Sequence, residues 1–368
     1  MLALIYYSYM ETIVMRKITS VLLATLGCAS AFAYDGLHLL SSVTFPSSNA
    51  AWDYVSFDAA NKHVFLGHRK DGLQVYDPAT QKIIKVIGDT AAHSANGASM
   101  APEFDLGLSN NEDGSYTPFK LSTLEAGPSV KIAEGIDTSH YDNATKRFVF
   151  NTDPDDKGTH LLVMEAATQK VVGEILVPSK KAEGAEADGA GNYYLVGQDR
   201  DEMYVLDTSG LKLVTTWNLA AFCGKPTGVA TDPVNHRVFV TCRGRDPIKP
   251  AFVVLDAANG SKVYSVEIGG GSDSLIYDAP TKRLYSANGV NANLSVIEQL
   301  DANNYRVVEH LGTEAWVRTM AMDHATGRLY AQTASGASDA SKKILTAVSP
   351  YYINTIFPNT YRVLTYGK

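Results

Sequence analysis

The chain has 368 residues, of which 45% are hydrophobic and 19% charged, with a formal net charge of −7. That composition can bury a large core and excludes disorder as a description of the whole. An acidic balance also argues against a nucleic-acid partner.

The first segment reads as an export signal. Arg16-Lys17 precede an apolar run over 18–26, and Ala31-Phe32-Ala33 fits a small-x-small cleavage site. Met15 is read as the true start. Cleavage near Ala33 leaves a mature domain of residues 34–368, placed in the periplasm or outside the cell. The apolar run is shorter than the ~20 residues that span a bilayer, and nothing later in the chain is long and apolar enough to cross one.

After an unpartnered strand over 37–43, one unit recurs. An apolar run ends at an Asp, a turn follows, and a basic residue leads into a second strand carrying an aromatic. Asp58 is followed by Lys62-His-Val-Phe65, Asp142 by Lys146-Arg-Phe-Val149, Asp232 by His236-Arg-Val-Phe239, and Asp323 by Gly327-Arg-Leu-Tyr330. Asp278 opens the fullest copy, with a second strand over 283–287 and a third over 294–297. Asp188 with Asn192-Tyr-Tyr194 is looser. These aspartates recur every 44–46 residues from Asp142 to Asp323, and the gap of 84 between Asp58 and Asp142 holds one unmarked unit. Its strands are expected at 96–100, 105–109 and 117–121.

Seven units of roughly 40–50 residues with four short strands each mark β-propeller blades, because helical repeats show 3.6-residue periodicity instead. The expected fold is therefore all-β: a seven-bladed propeller of four-stranded blades. Insertions at 153–158, 333–343 and 351–358 are polar or turn-rich excursions from it. Propellers close by pairing their termini, which removes exposed edges. The strand over 37–43 should thus lie outermost in the last blade, beside 362–366.

Leu284-Tyr-Ser-Ala-Asn288, Phe148-Val-Phe-Asn151 and Asp77-Pro-Ala-Thr80-Gln-Lys82 resemble the repeats of bacterial YVTN/YncE-like exported β-propellers. The likeness runs from about residue 37 to the end. It departs in the second unit and at Cys242, which stands where the strand-ending Asn would. The resemblance implies a seven-bladed periplasmic propeller, usually without an assigned biochemical role.

Because inner strands start together at one mouth of a propeller channel, the residue five before each turn Asp should form a ring. This gives Asp53, Asp137, Glu183, Thr227, Asp273 and Arg318, with Asn96 from the second unit. The ends of the second strands add His68, Asn110, Asn151, Gln198, Arg243, Asn288 and Thr333. The carboxylates suit a divalent cation such as calcium, with Asp53 and Asp273 foremost, or a small polar ligand. The same residue types also cap loops by bonding nearby backbone N–H groups. Trp52 and Trp316, from units that are neighbours in a closed ring, offer a stacking platform or pack between blades. His140 and Glu186 sit at matching positions of adjacent units, which would bring an imidazole near a carboxylate.

No nucleophile elbow, HExxH, CxxC pair or phosphate-cradling loop appears. Two functions stay open. One is a binding or scaffold propeller that recognises a small molecule, peptide or protein at the mouth. The other is a lactonase-type hydrolase using His68, Glu183 and Arg318.

Cys223 and Cys242 are the only cysteines beyond residue 33. Centring the fifth hairpin on its turn at 232–235 sets Cys242 opposite residue 225, with Cys223 two residues further on. A disulfide is expected, since its Cα atoms need approach only to ~4.4–6.8 Å.

Overall fold

Each repeat folds as a four-stranded antiparallel meander, in a computed structural model that describes residues 36–339, 341–342 and 353–368. The proposed export signal lies outside the described residues. In the sixth blade, Ser272–Asp278, Arg283–Asn288, Asn293–Gln299 and Tyr305–Gly312 pair in sequence order from the channel outward.

The recurrent Asp makes the first turn of each unit that carries it. Oδ1 of Asp58, Asp142 and Asp323 accepts the backbone N–H two residues on, at 2.9, 2.9 and 3.1 Å. Four residues after the Asp the chain turns left-handed, with φ of 60° at Lys62, 59° at Lys146, 54° at His236, 53° at Lys282 and 70° at Gly327. Glycine takes that conformation without a Cβ clash, so the seventh unit meets the demand most cheaply.

The second-strand aromatics Phe65, Phe148, Tyr194, Phe239, Tyr285 and Tyr330 are all buried. They fall in six of the seven apolar clusters that occupy the seams between neighbouring blades, one cluster to each seam. The core is thus divided among the seams, as expected when each repeat packs only on its neighbours.

The last blade carries the closure. Met320–Asp323, Arg328–Thr333 and Tyr361–Gly367 are followed outward by His38–Phe45, with Val43 opposite Val363. This is the terminal pairing expected from the sequence. Part of the seventh insertion forms a small ribbon, Gly336–Ala337 against Thr355–Ile356.

The unmarked second blade consists of Ala95–Ala101, Leu106–Asn111, Ser115–Lys120 and Val130–Lys131. Its second strand starts one residue later than expected, because a short 3-10 turn over Pro102–Phe104 leaves Asp105 left-handed at φ 51°. The third starts two residues earlier, where Asp113 Oδ1 accepts Ser115 N–H at 3.0 Å and tightens the turn. Pro118 has no N–H to offer an outer neighbour, so the ladder to Val130–Lys131 ends at Tyr116 and only a single bridge, Phe119 to Ala126, follows on that side. Among the described residues no helix is long and apolar enough to cross a membrane.

Candidate functional site

The starts of the inner strands converge on one mouth of the channel, and their charged side chains interlock there. Arg318 Nη1 lies 2.5 Å from Asp273 Oδ2, while its Nη2 lies 3.2 Å from Asp53 Oδ1 and 2.8 Å from the Trp52 carbonyl. Arg69 Nη2 reaches the other Asp53 oxygen at 2.5 Å, and its Nη1 pairs with Glu112. Arg243 pairs with Asp273 from the other side. Across the mouth, Lys181 Nζ bridges Asp137 and Glu183, each at 3.2 Å, and Gln198 Nε2 donates to Glu183 at 3.0 Å.

The result is a belt in which four cations alternate with five carboxylates. Glu183 shows the balance of forces. Burial raises its carboxyl, and the Coulombic attractions of Lys181 and Arg243 oppose that rise. Lys181 is held protonated, chiefly by Glu183.

Asp53 and Asp273, the two carboxylates best suited to a cation, each face two guanidinium groups. Among the described residues no group of three or more His, Cys, Asp or Glu is placed to hold a metal. Sequence reasoning missed Arg69, Lys181 and Glu112. Arg69 follows His68, Glu112 follows the second strand of its blade, and Lys181 lies two residues before Glu183, so a strict five-residue offset passes over them.

Several of the uncharged ring residues clip one blade to the next, while Asn288 bonds across its own loop. Asn96 Nδ2 donates to the Ile136 carbonyl at 2.9 Å, Asn151 Nδ2 to Glu183 at 2.8 Å, and Thr227 Oγ1 to Ser272 at 2.7 Å. Thr333 Oγ1 donates to the Ala315 carbonyl at 2.6 Å, and Asn110 Oδ1 accepts from Ser139 at 2.7 Å. Asn288 is wholly enclosed. Its Nδ2 reaches Asn293 at 2.8 Å and Ser295 at 2.9 Å, and its Oδ1 accepts from Ser286 at 2.9 Å.

Trp52 and Trp316 are buried together in the seam between the last and first blades, with Tyr76, Tyr330 and Tyr361. They serve packing there. His68 is also buried, stacked on Tyr361 with centroids 3.7 Å apart, and its Nδ1 lies 3.3 Å from Gln74. Burial lowers its pKa. His68 lies beside Gln74 and Asp71, whereas Glu183 is held by Gln198 and Lys181, and Arg318 by Asp273, Asp53 and the Trp52 carbonyl. A hydrolytic trio needs its members in mutual reach.

His140 and Glu186 share no ion pair either. His140 Nε2 is enclosed, and burial lowers the imidazole to about 4, whereas Glu186 is exposed on its strand. Glu186 lines a cavity of about 560 Å³, together with the chain around the turn residues Asn143, Asp188 and Pro233.

Between the second, third and fourth blades the mouth widens into a polar cavity of about 430 Å³. Arg69, Asn96, Glu112, Asp137, Asn151 and Lys181 line it, and so does Asp153 of the third-blade insertion.

These features define a seven-bladed β-propeller with a charge-belted channel mouth. Its fold is similar to that of the WD40 repeats of RRP9, with a TM-score of 0.69 over 89% of this chain and 99% of that chain at 6% identity. The β-propeller domain of Myceliophteria thermophila Cps50 (Swd1) gives 0.64 over 90% and 100% at 9% identity. Kuenenia stuttgartiensis hydrazine synthase gives 0.61 over 83% and 99% at 10% identity. At such identities the likeness concerns the fold alone. No family model and no curated protein sequence matches the chain.

Proposed function

We propose that this protein is an exported, YncE-like binding propeller that takes a small polar ligand or a partner at the charged mouth of its channel. The carrying observation is the belt itself. Each blade contributes separately to a shared surface of fixed charges, and such preorganised groups recognise complementary charge without first being ordered. Export is supported by the Arg16-Lys17 and Ala31-Phe32-Ala33 signal pattern and by the Cys223–Cys242 disulfide, a bond that persists in oxidising compartments.

The test is a thermal-shift screen of the domain spanning 34–368 against small polar metabolites and short peptides, since a ligand of the native state raises its melting temperature. A hit whose effect disappears in Arg69→Gln is expected. Hits indifferent to Arg69→Gln, or binding mapped to the outer strands, would move the function away from the mouth.

A further inference from the structure

We infer that the cavity between the second, third and fourth blades binds a small zwitterion, an amino acid or short peptide presenting a free ammonium and a free carboxylate; this deepens the reading of the mouth as a binding surface.

The first argument is an unspent pair of acceptors. Asn96 and Asn151 both line the cavity and are 1% exposed, and each spends its amide nitrogen on a carbonyl of the next blade. Oδ1 of each is buried without a hydrogen-bond partner. Asn288, at the equivalent strand end of the sixth blade, has both ends of its amide satisfied, as does Asn111 beside Ser109, Ser115 and Thr117. An orphaned buried carbonyl costs free energy, and both belong to residues that line one cavity, which favours a ligand that brings N–H donors. A carboxylate or phosphate alone offers none.

The second argument is charge. Arg69, Lys180 and Lys181 are matched by Glu112, Asp137 and Asp153 around the lining. The site is therefore neutral in sum yet carries both signs, which suits a ligand that does the same. An ammonium would meet Asn96, Asn151 and the carboxylates, and a carboxylate would meet Lys180, Lys181 or Arg69. The third argument is the missing platform. No aromatic residue lines the cavity, so it lacks the stacking face that favours sugars and bases. At about 430 Å³ it falls within the usual range of small-molecule sites. Asp153 and Pro154, from the third-blade insertion, line it as well.

Titration calorimetry of the 34–368 domain with alanyl-alanine tests this, alongside its N-acetylated and C-amidated forms, putrescine, acetate and glucose. Alanyl-alanine is expected to bind. Blocking either end should weaken binding about tenfold or more, and so should Lys181→Met or Asp153→Asn in variants whose circular dichroism is unchanged. No binding of alanyl-alanine to the folded domain overturns the inference, as does equal binding to both variants. Binding of acetate, putrescine or glucose in preference also overturns it, while leaving the mouth itself as a binding surface.

Discussion

Arg318 and Asp53 lie 3.2 Å apart at the channel mouth although 265 residues separate them in the chain. The same guanidinium holds Asp273 at 2.5 Å, so it ties the last blade to both of its neighbours. Arg318→Met would leave two nearly buried carboxylates with less counter-charge. Breaking buried pairs from one side costs roughly 3–5 kcal/mol, and partial exposure here should reduce that to about 2–3 kcal/mol. Urea melts measure it. Arg318→Lys keeps the charge but loses the two-pronged geometry and should fall between. A loss under about 0.5 kcal/mol in the Met variant would mean that Arg69 and Arg243 suffice.

Asp53→Asn with Asp273→Asn probes the same belt from its acidic side. Arg318 and Arg243 then lose the carboxylates they pair with and Arg69 keeps Glu112 alone, so the melting temperature without metal should drop clearly. Added calcium should not raise the melting temperature of the unmodified protein, because guanidinium groups already occupy both carboxylates. A calcium-dependent rise that vanishes in the double variant would reverse this reading.

Cys223 and Cys242 have Cα atoms 5.3 Å apart and form a disulfide across a separation of 19 residues. Chain entropy for such a loop corresponds to about 3 kcal/mol. Dithiothreitol should therefore lower the melting temperature, and the denatured, unreduced 34–368 domain should show no reactive thiol. Two equivalents would refute the bond. The strands pair Cys242 with Pro226, one residue from the expected position, because the inner strand shifts register between Pro226 and Val229. That shift still leaves Cys223 within reach.

His140 should make stability depend on pH. Burial holds the imidazole at about 4, below its ordinary 6.5, so its contribution is complete above about 6.5 and fades as pH falls through 4. His140→Gln should flatten the loss between pH 6.5 and 4. Melting curves across that range decide, and an unchanged profile in the variant would deny His140 its role.

The turn aspartates made the fold legible, because one local device recurs at nearly constant spacing and fixes where each inner strand ends. Counting back from them also located Asp53, Asp137, Glu183, Asp273 and Arg318 at the mouth. What spacing does not encode is which way a neighbouring side chain reaches. Arg69 comes to Asp53 from a left-handed turn with φ 41°, and Lys181 comes from outside its strand. The carboxylates therefore looked like a cation site until their partners were seen. For Trp52 and Trp316 the sequence left platform and packing both open, and their place in the seam is the packing one.

The closing strand supplies the last prediction. His38–Phe45 pairs along Tyr361–Gly367 from Leu39 opposite Tyr366 to Phe45 opposite Tyr361. Among the described residues it is the only strand that the amino-terminal part of the domain lends to the last blade. Removing residues 34–45 exposes the outer edge of Tyr361–Gly367, whose Val363, Leu364 and Tyr366 are buried in the intact ring. An unpaired apolar edge recruits other chains, so the truncated domain should aggregate or lose its single cooperative transition. A synthetic peptide spanning 36–46, added during refolding, should restore both by supplying the strand in trans. If the truncated domain is soluble and as stable as the intact one, the ring is held shut instead by Arg318 and the apolar seam around Trp52 and Trp316.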